Sequence, residues 1–324
     1  MSRASVRGGA KEKSLLSVSD LSARELAGML ERMKSLKPAI KRGDTLSDLR
    51  GRVVGLFFEK PSTRTRTSFE VATVRLGGFP VYLASPELQT SRGEPIKDTA
   101  RILGSYLDVI VGRVYSHETL REMAEFSGVP ILNGLSDLEH PTQVISDLFT
   151  ISETKGRLRG VTLAFIGDGD NVCNSLLLGA SLMGMNIVAA CPSGYAPNPD
   201  VLRRAEENAK RSGSTVRVVD DPKEAAVDSD VLYTDVWVSM GDEKEASRRM
   251  RAFRGFQINT ELLKLASKDA VVMHCLPAHR GLEITDNVIE GKQSVVWRQA
   301  ENKLYGAAVA LDFVMGRGKS PVLR

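Results

Sequence analysis

Residues 57–70 read FFEKPSTRTRTSFE, and the fold can be worked out from this stretch outward. The apolar run 53–58 is typical of a buried parallel strand. The proline after it ends the strand, and Ser62 or Thr63 can then cap a helix over about 65–76. A pair of glycines ends that helix. The stretch therefore predicts a strand, a hydroxyl-rich turn and a helix N-terminus in succession.

This turn has the chemistry of an anion site. Backbone N–H groups and the helix dipole point at a ligand there, and Arg64 offers a planar fork that suits phosphate oxygens. The alternative is that the hydroxyls only cap the helix and that Arg64 and Arg66 lie on a solvated face. Four hydroxyl residues interleaved with two arginines, directly after a strand, favour phosphate binding.

Composition narrows the class of protein. The 324 residues suit about two domains, and 44 lysines and arginines against 40 aspartates and glutamates leave a net charge of only +4. The basic residues are scattered, which argues against a nucleic-acid partner. Cys173, Cys191 and Cys275 form no C-x-x-C pair, which favours free thiols in a reducing compartment. No apolar run approaches about 18 residues, so we predict a cytoplasmic protein without a membrane span.

Strands and helices alternate along the whole chain, which predicts the α/β class. We predict two doubly wound parallel-sheet domains, 1–153 and 154–301, with the active site in the cleft between them. A final helix, about 302–324, would return to the first domain. The second domain is the clearer one and contains five strand-like runs: Val161–Ile166, Asn186–Ala190, Thr215–Val219, Val231–Thr234 and Val271–His274.

Ligands of such sheets bind at the carboxyl ends of the strands. In the first domain these ends carry donors and cations, as an anion requires: 62–66, Gln89, Arg113 and 139–143. In the second domain they carry carboxylates, amides and a thiol, which suit an amine: 168–171, 235–241 and 274–277. Two facing sets of these kinds predict a transferase that joins an activated anion to an amine acceptor.

Two other ligand classes are disfavoured by spacing. The GDGDNV run at 167–172 lacks the third fingerprint glycine, and its acidic Asp170 would face a pyrophosphate. His274, Cys275 and His279 match neither a helical nor a knuckle spacing of metal ligands. We therefore predict no dinucleotide, no metal and no cofactor.

Several separated motifs resemble one family. They are Ser62-Thr63-Arg64-Thr65, His140-Pro141-Thr142-Gln143 and His274-Cys275-Leu276-Pro277, in this order. Ser239-Met240-Gly241, four residues after Asp235, resembles an ornithine-recognition loop. From about residue 15 to 311 the chain is similar to the aspartate and ornithine carbamoyltransferases, in their ornithine branch.

The resemblance implies substrates, ligands and assembly. L-Ornithine would be bound by Asn171, Asp235, Ser239 and Met240. The family also implies a homotrimer, with Gln89 reaching the ligand from a neighbouring subunit. Lys303 departs from the family, which has arginine there, and so keeps the charge but loses the bidentate fork. Carbamoyl phosphate would be bound by Ser62, Thr63, Arg64, Thr65, Gln89, Arg113, His140, Gln143, Cys275, Leu276 and Lys303.

The implied catalytic residues are Arg64, Arg113, His140 and Cys275. The arginines would stabilise charge on the departing phosphate, while Arg113 and His140 polarise the carbamoyl oxygen. An alkyl ammonium titrates near pH 10.4, so the attacking amine must lose a proton, and we favour Cys275 over Asp235 as acceptor. A loop over 239–254 would close on ornithine. The alternatives are a silent sensor on this fold, or transfer to aspartate or putrescine.

Overall fold

The computed structural model describes residues 13–238 and 243–316, and it contains two parallel sheets. The first sheet has the order β2-β1-β3-β4. Its strands are β1 Val53–Phe58, β2 Phe79–Ala84, β3 Val109–Arg113 and β4 Ile131–Leu135. The helices of this half are α1 Ala23–Arg42, α2 Thr63–Arg75, α3 Ile96–Tyr106, α4 His117–Phe126 and α5 Pro141–Lys155.

The second sheet has the order β7-β6-β5-β8-β9 and is also parallel throughout. Its strands are β5 Thr162–Ile166, β6 Asn186–Ala190, β7 Val216–Val219, β8 Val231–Thr234 and β9 Val271–His274. The helices are α6 Asn171–Leu182, α7 Pro199–Ser212, α8 Pro222–Ala226, α9 Ala246–Ala252, α10 Thr260–Leu263, α11 Asp286–Ile289 and α12 Val296–Val314. The predicted fold class is confirmed, while the residue at which one domain gives way to the other stays a prediction.

Each sheet has a point where the chain reverses the direction in which it adds strands. In the first sheet β1 lies between β2 and β3, and in the second β5 lies between β6 and β8. A crevice opens at the carboxyl ends of the strands at such a point. The segments that follow β1 and β3, and those that follow β5 and β8, therefore lie beside the two crevices.

The last helix, α12, packs against α1, α2 and α5 and also contacts β9. It begins at Val296, earlier than the predicted residue 302. Val296 and Gln299, in its first turn, are already buried. A Cβ atom on Gly306 would lie 2.0 Å from the Ser146 hydroxyl, so only glycine lets α12 approach α5 this closely. This contact sets the distance between the side chains that the two helices point at each other.

The predicted loop over 239–254 is wrong in its second part. Residues 246–252 form α9, and Arg249 is buried there with its guanidinium on the Asp168 carboxylate at 2.5 and 2.6 Å. The sequence pattern missed this helix because its inward-facing residue is a charged one. Ser239 and Met240 lie outside the described residues. Within those residues, no helix combines the length and the apolarity needed to cross a membrane.

Candidate active site

The turn after β1 forms the start of α2, as its hydroxyls predict. The Ser62 side chain caps the helix by accepting a hydrogen bond from the Thr65 N–H at 3.2 Å. Thr65 is buried, and its hydroxyl accepts a long hydrogen bond, 3.4 Å, from the guanidinium of Arg113 at the end of β3. The turn and the adjacent strand end therefore meet, as the sheet order requires.

The two arginines of the turn have different surroundings. Arg64 and Thr63 line a cavity of about 340 Å³, together with Lys303 and Leu304 of α12. Arg66 does not line it: its guanidinium pairs with Glu70 at 3.0 Å and lies 3.5 Å from the centre of the Tyr82 ring. Arg64 thus belongs to the cavity, and Arg66 belongs to the outer face of α2.

A second cluster forms where α5 and α12 are in contact. The Lys303 ammonium donates a hydrogen bond to the Gln143 carbonyl oxygen at 2.6 Å and lies 3.3 Å from Nε2 of His140. All three side chains are buried. Burial, together with the nearby Arg113 charge, lowers the pKa of Lys303 to about 8. Burial, with Lys303 and Arg113 nearby, lowers the pKa of His140 well below its usual value, so this ring is neutral.

Arg113 links the turn to this cluster. Burial and the neighbouring Arg64 charge lower its pKa to about 10, so the group stays charged at neutral pH. Its Nε is buried and has no hydrogen-bond partner among the described residues. Arg64, Arg113 and Lys303 are thus like charges near one another, and an unpaired donor lies among them. An anion bound here would relieve the repulsion and accept the free N–H.

The end of β9 carries a different set of groups. Asp235, His274 and Cys275 place one ligand-type atom each within 4.8 Å of one another. The His274 ring is engaged at both nitrogens, because Nε2 lies 3.1 Å from Glu283 Oε1 and Nδ1 accepts the Leu276 N–H at 2.9 Å. A metal bound by His274 would have to displace one of these contacts. The absence of a metal, which was predicted from ligand spacing, stays a prediction.

Burial and the nearby Asp235 raise the pKa of the Cys275 thiol well above its ordinary value. The thiol is therefore neutral at physiological pH, and a neutral thiol cannot accept a proton. This weighs against Cys275 as the acceptor of the amine proton and favours Asp235, the other candidate.

The remaining predicted site residues are Leu276, Asn171, Gln89, Ser239 and Met240. Leu276 lies in the turn after β9, where its φ is +60°. Asn171 begins α6, and its amide donates to the Ser136 carbonyl at 3.0 Å, so it bridges the two halves of the chain. Gln89 is exposed in a short 3₁₀ turn, and no contact recorded for the described residues joins it to the others. Ser239 and Met240 cannot be placed.

The glycines of the GDGDN run have a packing role. A Cβ atom on Gly169 would lie 2.3 Å from the backbone nitrogen of Pro197, so a side chain there would collide with the segment after β6. Close packing of two backbone segments thus accounts for this glycine without a pyrophosphate. The prediction that the chain binds no dinucleotide is consistent with this explanation.

Sequence reasoning missed a group of buried polar side chains behind the site. Asp147 of α5, Tyr233 of β8 and Gln299 of α12 are buried and hydrogen-bonded to one another. The signal was a lone carboxylate one turn after Gln143, in an otherwise uncharged stretch of α5. His117, the first residue of α4, is also buried, with Nδ1 2.9 Å from the Ser136 hydroxyl.

Comparison with known proteins gives a consistent result over both halves. Residues 13–153 match the family described as aspartate/ornithine carbamoyltransferase, carbamoyl-P binding domain, and residues 159–313 match its Asp/Orn binding domain. An ornithine carbamoyltransferase from Archaeoglobus fulgidus is 51% identical over 305 residues, 94% of this chain and 98% of that protein. An anabolic one from Pyrococcus furiosus is 47% identical over 304 residues, 94% of this chain and 96% of that protein. A solved ornithine carbamoyltransferase structure from Pyrococcus furiosus, 47% identical, superposes with a TM-score of 0.90 over 94% of this chain and 97% of that one.

Proposed function

The chain belongs to the aspartate/ornithine carbamoyltransferase family, and we propose that it transfers the carbamoyl group of carbamoyl phosphate to the side-chain amine of L-ornithine, giving L-citrulline and phosphate. The resemblance drawn from the motifs is confirmed. The observation that carries the proposal is the convergence of Arg64, Arg113 and Lys303 around an unpaired donor, with Asp235 and Cys275 near enough to act on the pKa of Arg113.

Carbamoyl phosphate would lie with its phosphate at the start of α2. The N–H groups of this helix, the hydroxyls of the turn and Arg64 are the donors that an oxyanion requires. Lys303, on the other wall of the cavity, adds a second charge. The proposed phosphate ligands are Ser62, Thr63, Arg64, Thr65 and Lys303.

The carbamoyl group would lie between Arg113 and the cluster on α5. Arg113 is charged and can polarise the carbonyl oxygen, so charge that develops there in the transition state is stabilised. His140 is neutral and acts by hydrogen bonding alone. Gln143 offers an amide carbonyl that can accept from the carbamoyl NH₂. Leu276, in the turn after β9, would bound the reacting centre on its far side.

Ornithine would approach from the second half of the chain. We assign the proton acceptor to Asp235, because a carboxylate accepts a proton at neutral pH and a thiol of raised pKa does not. The Cys275 thiol would fill the space beside it. Asn171, Ser239 and Met240 stay proposed ligands of the amino-acid end, and Gln89 a proposed ligand from a neighbouring subunit.

The proposal also covers the oligomeric state, the cellular compartment and the metabolic direction of the reaction. Phe79 and Val81 on the edge strand β2, with Ile102 and Tyr106 on α3, expose large apolar side chains that a homotrimer would cover. The three free cysteines suit the cytoplasm. The relative from Pyrococcus furiosus is named anabolic, which favours citrulline synthesis for arginine.

The test is to supply carbamoyl phosphate with ornithine, putrescine or aspartate separately and to measure the carbamoylated product. We expect citrulline from ornithine and at least a hundredfold less product from the other two acceptors. Transfer to another amine would overturn the ornithine assignment and keep the anion site. Carbamoyl phosphate bound without transfer to any acceptor would indicate a sensor.

A further inference from the structure

Asp147 is a fully buried carboxylate that none of the assignments above uses. Its Oδ1 accepts hydrogen bonds from the side-chain amides of Gln143, at 2.9 Å, and Gln299, at 2.8 Å. Its Oδ2 accepts one from the Tyr233 hydroxyl at 2.9 Å. Burying a charge is costly, and three donors from α5, α12 and β8 compensate for it here.

The charge of Asp147 fixes the orientation of two amides. An ionised carboxylate only accepts hydrogen bonds, so Gln143 and Gln299 must both turn their NH₂ groups toward it. Their carbonyl oxygens then point away from Asp147. The Gln143 oxygen accepts from the Lys303 ammonium at 2.6 Å, and the Gln299 oxygen accepts from the His274 backbone N–H at 2.9 Å.

These two chains of hydrogen bonds end on opposite sides of the candidate site. One runs through Gln143 to Lys303 and His140, which we assign to carbamoyl phosphate. The other runs through Gln299 to the end of β9, next to Cys275. Asp147 itself does not line the cavity and acts on the site through its bonds to Gln143 and Gln299.

We propose that Asp147 is a positioning residue. Its ionised carboxylate holds Gln143 and Gln299 in place and so fixes the position of the carbamoyl-phosphate half of the site relative to the ornithine half. The proposal rests on the proposed function. Protonation of Asp147 would remove the charge that holds both amides with their NH₂ groups toward it. A proton on Oδ1 would oppose both glutamine donors. A Gln143 amide that then rotated would face Lys303 with an NH₂ group, and the ammonium would lose its partner.

The groups that face Asp147 act on its ionisation in a definite way. Burial raises its pKa to about 6, against the opposing effects of the bonds from Gln143, Gln299 and Tyr233 and of the Lys303 charge. The Cys275 thiol and the Tyr233 hydroxyl also face it, and both have pKa values raised well above ordinary. At neutral pH, Asp147 is therefore the ionised acid, and the Lys303 charge favours that form.

The experiment measures kcat/KM for both substrates, from pH 5 to 8, in four proteins. In the parent we expect activity to fall as the pH drops through about 6, where Asp147 gains a proton. Asp147→Asn should lose this acid limb and lower kcat/KM for each substrate on the order of 10- to 100-fold at pH 8, since small misplacements of reacting groups have costs of that size. Tyr233→Phe removes one bond to the ionised form, so its acid limb should move to higher pH with an unchanged plateau.

Thr150→Val is the matched control. Thr150 lies one turn further along α5, is equally buried and bonds to Asn302 of α12 at 2.9 Å, away from the site. We expect this variant to lose thermal stability comparable to Asp147→Asn and to keep the parental pH profile. Glu139, whose pKa burial raises to about 7, could also give an acid limb, but the Tyr233→Phe substitution would not move that limb.

Two outcomes would overturn the positioning role: an acid limb that Asp147→Asn retains, or one that Tyr233→Phe leaves in place. Calorimetric titration with carbamoyl phosphate alone separates this proposal from the proposed function. A parent that binds carbamoyl phosphate but makes no citrulline would overturn the transfer to ornithine, and the shift of the acid limb would still be measured in its binding curve. A parent that neither binds nor transfers would overturn both.

Discussion

The two sides of the candidate site are built from opposite chemistry, and burial shifts the pKa values of both. On the carbamoyl-phosphate side, burial lowers the pKa of Arg113 to about 10 and that of Lys303 to about 8. On the ornithine side, burial raises the pKa of the Cys275 thiol. Desolvation disfavours the charged form in every case. The first side nevertheless keeps its cations at neutral pH, while the thiol of the second side stays neutral.

The difference shows which groups are available for which task. Cationic side chains that stay protonated when buried are strong anion ligands, because little water competes for them. A neutral thiol is a packing group and a weak donor, so we propose that a carboxylate does the acid–base work of that side. Each of the following experiments tests one part of this contrast.

The largest effect should come from removing the cation at the start of α2. Arg64→Met is expected to lower kcat/KM for carbamoyl phosphate on the order of 100- to 1,000-fold, the usual effect of removing one donor that stabilises developing negative charge. Steady-state citrulline formation measures it. Arg66→Met is the matched control, two residues away on the same helix and paired with Glu70 outside the cavity.

The control should keep activity within about threefold of the parent, because an exposed pair of this kind contributes little. Equal losses in the two variants would mean that the turn acts through overall charge or helix stability. The contrast between a cavity arginine and a surface arginine would then be wrong.

These two arginines also mark the limit of what the sequence could predict. The alternation of strands and helices, with hydroxyls at a strand end, is enough to predict an anion site at the start of α2. It cannot separate Arg64 from Arg66, because Arg66 lies against Tyr82, which is supplied by the neighbouring strand β2. Arg113 and His274 could be placed at strand ends for the same reason that the fold could be predicted.

Properties that depend on residues far apart in the sequence could not be predicted from the sequence. The acceptor role predicted for Cys275 assumed a reactive thiol, whereas burial in the folded chain and Asp235, forty positions earlier, raise its pKa. Helix α9 was missed because Arg249 is buried against Asp168, and a charged residue gives no apolar periodicity. The role proposed for Asp147 depends on four elements that meet only in the folded chain.

The next effect should come from the residue that departs from the family motif. Lys303→Met is expected to weaken carbamoyl phosphate binding about 10- to 100-fold, since a hydrogen bond to a charged group contributes roughly 1.5–3 kcal/mol. In the parent, affinity should fall as the pH rises through about 8, because Lys303 is protonated below that pH and neutral above it. Calorimetry from pH 7 to 9.5 measures both effects.

Lys303→Arg supplies the control for the pH dependence. A guanidinium stays protonated over this range, so the variant should bind with an affinity that does not decline above pH 8. Parallel curves for the parent and Lys303→Arg would show that another group titrates, and the buried ammonium would lose its place among the phosphate ligands.

The smallest effect is expected from the thiol. If Cys275 is neutral and only fills space beside Asp235, Cys275→Ser should lower kcat less than tenfold, and the dependence of kcat on pH from 6 to 10 should keep its shape. A serine hydroxyl is far less acidic than a thiol, so a true acceptor role would give a much larger loss and an altered alkaline limb.

Asp235→Asn, measured alongside, should lose at least a hundredfold in kcat, because removal of the acceptor leaves the ornithine ammonium protonated. A larger loss of kcat in Cys275→Ser than in Asp235→Asn would mean that Cys275 is the proton acceptor. It would also mean that binding of substrate brings the thiol pKa back into the working range, which would make the two sides of the site more alike than their burial suggests.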